Sequence, residues 1–243
     1  MEKQKLIRRI GSARLEVRAN MEPVDGDLAL IAKQIPEGWP APAASDVYVC
    51  SAMVCNDIVD HYSTRFTPEA LAEIVNLIIG VNIMRNHVEY GESALPIARV
   101  FAADLVKQAD GLYVRMRFYW ERGTAFGDEM ARKVALGIWR EVSLSWWMRS
   151  FTNSIDGKPF DESPYYAGQE LPDGQTVVGI MADIVEVNEV SVVPRGGQKN
   201  TSMNPSRAGG FSGADVMEMV AASRARAHEH DKQPPWFRKF FKS

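Results

Sequence analysis

The chain has 243 residues, 46% of them hydrophobic and 24% charged, with a formal net charge of −3. That composition excludes a wholly disordered, collagen-like or coiled-coil chain, and the length allows one full domain plus an appendage, or two small ones. The charge is uneven. From Gly196 onward eight basic residues stand against four acidic ones, so this stretch carries +4 and the first 195 residues −7. An acidic body argues against general nucleic-acid binding, and a short basic tail on it reads as an interaction arm.

The N-terminal MEKQKLIRRIGSARLEV lacks the apolar core of a signal peptide. No run approaches the roughly 18 apolar residues of a membrane span, so a soluble protein without stable membrane insertion is expected. Period-two alternation predicts strands at Arg14–Arg18 and Val47–Val54. Cys50 and Cys55 fall in or beside the second of these and read as buried free thiols. Thr67 suits an N-cap and Pro68 the first helical position. Leu71, Ile74, Val75 and Ile78 follow at helical spacing, and Gly80 closes the helix.

An apolar, strand-like run, VNIMRNH, leads to His87. Strands are predicted at Ile97–Ala102 and over residues 112–120, where Leu112, Val114, Met116, Phe118 and Trp120 alternate with polar or amphipathic partners. A second helix runs from about Thr124 to Leu136 and is closed by Gly137, with acidic residues early and basic residues late. A strand follows over Ile138–Met148. Phe151–Gly174, rich in Pro, Gly, Asp and Tyr, reads as a long loop of the kind that is often functional. Two last strands are predicted at Thr176–Ile184 and Val185–Val193. Evenly spaced strands with two internal helices predict a mainly β, α+β domain over residues 1–195: an antiparallel barrel or sandwich with helices packed outside. Residues 196–243 read as a linker by composition, a short helix from Ser212, and a basic aromatic end, WFRKFFK.

The sequence carries no CxxC pair, HExxH, Walker loop or GxSxG elbow. Hydroxyl chemistry remains, and it needs a serine, an imidazole base and a third group that fixes the imidazole tautomer. The body holds two histidines. His61, in DIVDHYS, reads as part of a solvated turn, whereas His87 sits at a strand end feeding a loop, where catalytic residues concentrate. In REVSLSWW, Ser143 and Ser145 share one strand face, and alternation does not choose between them.

Here a family resemblance enters. NHVEYGESALPIARV resembles the His segment of tailed-phage prohead maturation proteases, a family distantly similar to herpesvirus assemblins. GIWREVSLSWW resembles its Ser segment, and VEVNEVSVVPRG its closing segment. The stretch from Asp57 through the first helix resembles its leading segment. All four stand in family order, with 56 residues from His87 to Ser143. The sequence departs from the family's S-I-G-F: Ser145 stands where Gly is usual and Trp146 where Phe is. Trp146 and Trp147 also take the place of arginines that help stabilise the oxyanion in assemblins.

The resemblance implies an assemblin-like barrel, closed or partly open. It implies His87 as general base and Ser143 as nucleophile, with Ser145 as the alternate. No histidine lies between Ser143 and the tail, so a carboxylate is the physical substitute for the third member. Glu189 matches the family's acidic position, with Asp183 and Glu186 as alternates. Strand parity puts Asp183 on the face of Glu189 and Glu186 on the opposite one. The family counterpart of Ser191 is structural.

The implied protein is a serine endopeptidase acting inside the procapsid in the host cytoplasm. Its implied substrates are the major capsid protein or its scaffolding segment, the scaffold, and the protease itself. No metal or organic cofactor and no nucleic acid is implied, and self-association is allowed. The linker from Gly196 to Gly213 is an accessible place for self-cleavage. The tail suits docking on an acidic capsid or scaffold surface, contact with a membrane surface, or no role at all. The alternative is a non-catalytic assembly factor on the same fold.

Overall fold

From Val114 onward alternation becomes burial along β6 (Leu112–Glu121): Val114, Met116, Phe118 and Trp120 enter the core while Arg115, Arg117 and Tyr119 stay partly exposed, but at the strand's start Tyr113 is buried and Leu112 only partly so, against the alternation. In this computed structural model, residues 7–16, 21–87 and 95–194 are described. The linker, the helix expected from Ser212 and the basic aromatic end lie outside the described residues, as do residues 88–94.

The remaining strands are β1 (Ile7–Glu16), β2 (Val47–Asn56), β3 (Thr64–Phe66), β4 (Asn82–Arg85), β5 (Ala98–Lys107), β7 (Glu141–Asn153) and β8 (Gly179–Val193). They form one curled sheet in the order β3-β8-β4-β5-β6-β2-β1-β7, and β7 also pairs with β8, so the ladder returns on itself. The fold is mainly β with few helices. Six of the eight pairings are antiparallel. The two parallel ones, β3–β8 and β4–β8, arise because a helix carries the chain from β3 across to β4 on the same edge of β8.

That helix, α2 (Pro68–Leu77), starts as its sequence dictates: the Thr67 side-chain oxygen accepts from Ala70 N at 3.2 Å. Gly80 follows its end at φ 85°, a conformation that favours glycine. Ala70, Leu71, Ile74 and Ile78 join the main core together with Met130 and Val134 of α3 (Ala125–Ala135). A third, short helix, α1 (Asp27–Ala32), covers the other side of β2, where Ile31 packs with Val47, Val49 and Phe101. Cover on both sides explains why β2 is almost continuously buried. Cys50 and Cys55 are buried and form no disulfide, and burial pushes the Cys55 thiol far up.

Several boundaries differ from the sequence expectation: β1 begins at Ile7 rather than Arg14, with residues 17 and 18 outside the described ones, β5 runs on to Lys107 rather than Ala102, and β7 begins at Glu141 rather than Ile138. Phe151, Thr152 and Asn153 belong to β7, and the long loop begins after them. Phe151 pairs with Met181 and stacks on Phe160 of the loop at 4.6 Å between ring centroids. Gly179 makes this approach feasible, since a Cβ there would lie 2.5 Å from the Phe151 ring.

The two strands expected at 176–184 and 185–193 are a single strand, β8. Ser145 pairs with Glu189 and Trp146 with Val187, leaving Asn188 as an extra residue. Trp147 pairs with Glu186 and Met148 with Ile184, leaving Val185 as a second. These bulges break the alternation while the ladder continues. Glu73 of α2 supports the second bulge by accepting from Ile184 N at 2.7 Å. Glu73→Ala strands that amide and is expected to lower unfolding free energy by about 1–3 kcal/mol in urea titrations. Glu73→Gln, which keeps an acceptor oxygen, should cost less than half as much.

Candidate active site

β8 organises the site. On its β4 edge, Ile83, Met84 and Arg85 run parallel to Val190, Ser191 and Val192, and Asn86 N donates to Val192 O at 3.1 Å. Asn86 and His87 then both take left-handed backbone, at φ 57° and 52°. Two consecutive residues there are uncommon outside glycine, and Asn and His are among the side chains that tolerate it best. The Arg85 guanidinium lies over the rings of Phe126 and Trp139, at 5.2 and 5.8 Å, tying α3 to the end of β4.

The turn sets the His87 imidazole beside β8. Nδ1 pairs with Glu189 Oε1, and the backbone N of His87 donates to Ser191 Oγ at 3.0 Å. Ser191 Oγ in turn donates to Glu189 Oε2 at 2.6 Å. The pair is largely withdrawn from solvent, with side-chain exposures of 21% for His87 and 12% for Glu189. When the imidazole is neutral, a carboxylate on Nδ1 requires the proton there and leaves the lone pair on Nε2. His87 Nε2 is buried and has no hydrogen-bond partner.

Glu189 and Ser191 are two residues apart on one strand and share a face. Across the ladder Ser145 pairs with Glu189, and Ser143 with Ser191. Directly opposed residues of an antiparallel pair point to the same side, with Cβ atoms about 4.5–5.5 Å apart. Ser143, Ser145, Glu189 and Ser191 therefore form a polar square on the side that carries His87. Val142, Leu144, Trp146, Val190 and Val192 fill the core on the other side. This explains why S-x-S and E-x-S occur within the buried stretches Val142–Trp146 and Glu189–Val192. Asn188, the bulged residue, donates from Nδ2 to Ser145 Oγ at 3.4 Å.

No family model and no curated protein matches the chain. Among solved structures it is similar to the bacteriophage T4 capsid assembly protease, gp21. The TM-score is 0.41 with 10% identical residues, over 77% of this chain and 98% of that one. A likeness this slight carries no inference about the reaction.

The expected residues fall as follows. His87 pairs with Glu189, and Ser143 and Ser145 stand across the ladder from Ser191 and Glu189; neither serine is hydrogen-bonded to His87 Nε2. Asp183 and Glu186 do not join His87. Asp183 is exposed at φ 55° and accepts from Arg149 Nη1 at 3.4 Å. Glu186 is exposed opposite Trp147, and the bulge at Asn188 brings it to the same side as Glu189, so the parity expectation for it is corrected. His61 lies in the turn between β2 and β3. That turn is built on Asp60, which accepts from Tyr62 N, Thr64 N and Thr64 Oγ1. Trp146 packs on Phe66 in the core, with ring centroids 4.9 Å apart. One participant has no signal in the sequence, Asn188, whose bulge has no signature in the alternation; Ser191, structural by resemblance, joins Glu189 through its i+2 spacing. Among the described residues no group of three or more His, Cys, Asp or Glu could hold a metal ion.

Proposed function

We propose that this chain is a serine endopeptidase of tailed-phage capsid maturation. The observation that carries the reading is the part-buried Glu189–His87 pair, the imidazole Nε2 unpartnered, on the strand face shared by Ser143 and Ser145. A carboxylate on one imidazole nitrogen and an available lone pair on the other is what a general base for a hydroxyl requires. Substrate class and setting rest on the resemblance of the His, Ser and closing segments to prohead proteases.

In the proposed cycle Ser143 Oγ attacks the scissile carbonyl carbon while His87 Nε2 takes the hydroxyl proton. Glu189 stabilises the imidazolium. Collapse of the tetrahedral intermediate breaks the C–N bond, and the imidazolium gives its proton to the departing amine. Water, deprotonated by His87, then attacks the acyl-serine ester and frees the new carboxyl terminus. The cycle calls on no metal or organic cofactor. The substrates are the scaffold or the scaffolding segment of the capsid protein and the chain itself, and the place of action is the interior of the procapsid.

The test is co-expression with the cognate capsid and scaffold proteins, the wild type beside the double variant Ser143→Ala/Ser145→Ala, with products identified by mass spectrometry. Capsid protein or scaffold should shorten with the wild type alone. Equal shortening by the double variant would overturn serine catalysis. Shells that assemble with no shortening in either case would favour a non-catalytic assembly factor.

A further inference from the structure

We propose that Ser191 is a positioning residue that fixes the imidazole of His87 for proton transfer, an inference that rests on the protease reading above. Its hydroxyl accepts from the backbone N of His87 at 3.0 Å and donates to Glu189 Oε2 at 2.6 Å. Glu189 Oε1 takes Nδ1 of the same histidine. These three contacts form a closed circuit that leaves His87 through its backbone and returns through its ring. Both carboxylate oxygens are engaged, so the carboxylate cannot turn about its last bond without breaking one of them. The backbone end of the circuit lies at a residue in left-handed conformation, where the chain would otherwise relax.

Ser191 is fully buried, and a hydroxyl has a single proton to give. Donation to Glu189 therefore settles that its lone pairs face His87 N. Removing the hydroxyl strands an amide and a carboxylate oxygen together. The structural role implied for Ser191 by family resemblance thereby becomes a specific one: it aims the base.

The experiment compares full-length wild type, Ser191→Ala and Ser191→Thr, using a peptide that spans a cleavage site mapped in the co-expression products. Ser191→Ala should lower kcat by about 10- to 100-fold, the scale of loss for a misplaced catalytic group, with KM unchanged. Ser191→Thr keeps the hydroxyl while crowding a buried position, so it should melt at lower temperature yet recover most of kcat. A merely structural role predicts the reverse order, with activity following the melting temperature.

A second readout does not depend on turnover. Ring ¹⁵N and N–H proton shifts of His87 should report a protonated Nδ1 held by Glu189 in the wild type and a loosened contact, with the Nδ1 proton moved upfield, in Ser191→Ala. Wild-type ring shifts together with wild-type kcat in Ser191→Ala would overturn the proposal. If the wild type cleaves nothing, the protease reading fails, and the ring shifts alone decide whether Ser191 aims His87.

Discussion

Ser143→Ala is expected to abolish cleavage, lowering kcat by about 10⁶-fold, while Ser145→Ala stays within roughly tenfold of wild type; loss of a triad serine commonly costs that much because base and acid then have nothing to act on. The two serines share a face, so the distinction must come from their neighbours. Ser143 stands opposite Ser191, the residue that holds the backbone of His87. Ser145 stands opposite Glu189, is fully buried, and is met by the Asn188 amide. Both serines are buried, so exposure does not separate them, and the expectation rests on these neighbours. Peptide kinetics and labelling by a serine-directed fluorophosphonate check both variants. Labelling lost in Ser145→Ala and kept in Ser143→Ala would move the nucleophile two ladder pairs along.

The helices were legible because their signals are local. Thr67 and Thr124 both cap through a side-chain oxygen three residues before the amide they serve, as their spacing predicts. Strand β6 was legible because one of its faces is buried and the other is not. What alternation could not supply was anything set by pairing between strands. The bulges at Val185 and Asn188 are properties of the β7–β8 ladder, and they made one strand read as two and misplaced Glu186. The left-handed pair at Asn86 and His87 exists because β8 receives the end of β4, which no local pattern announces. His87 and the serines could be proposed from type and context. The choice of Glu189 over Asp183 and Glu186 needed the family position, because parity fails across a bulge. The resemblance implies only a structural role for Ser191; its specific partners, the His87 amide and Glu189, are set by tertiary contact.

Glu189→Gln is expected to cost about 10⁴-fold in kcat, the scale seen when an imidazole is held in the wrong tautomer. Glutamine matches glutamate in shape but offers one acceptor and one donor where the carboxylate offers two acceptors. Ser191 already receives the His87 amide and must place its own proton. If the glutamine oxygen faces Ser191, that proton is satisfied, and the amide N–H faces Nδ1. Nδ1 then becomes the acceptor, the ring proton moves to Nε2, and the base is lost. The opposite orientation keeps the useful tautomer but leaves the buried Ser191 proton without an acceptor, at about 1–3 kcal/mol, so the inactive arrangement prevails. Ser191→Ala removes that bias. The double variant Glu189→Gln/Ser191→Ala should therefore be no slower than Glu189→Gln alone, rather than slower by the further factor that independent sites would give. Ring ¹⁵N shifts should show protonated Nε2 in the single variant and partial return to protonated Nδ1 in the double. Losses that simply multiply, with no change of tautomer, would mean that Glu189 and Ser191 act on His87 separately.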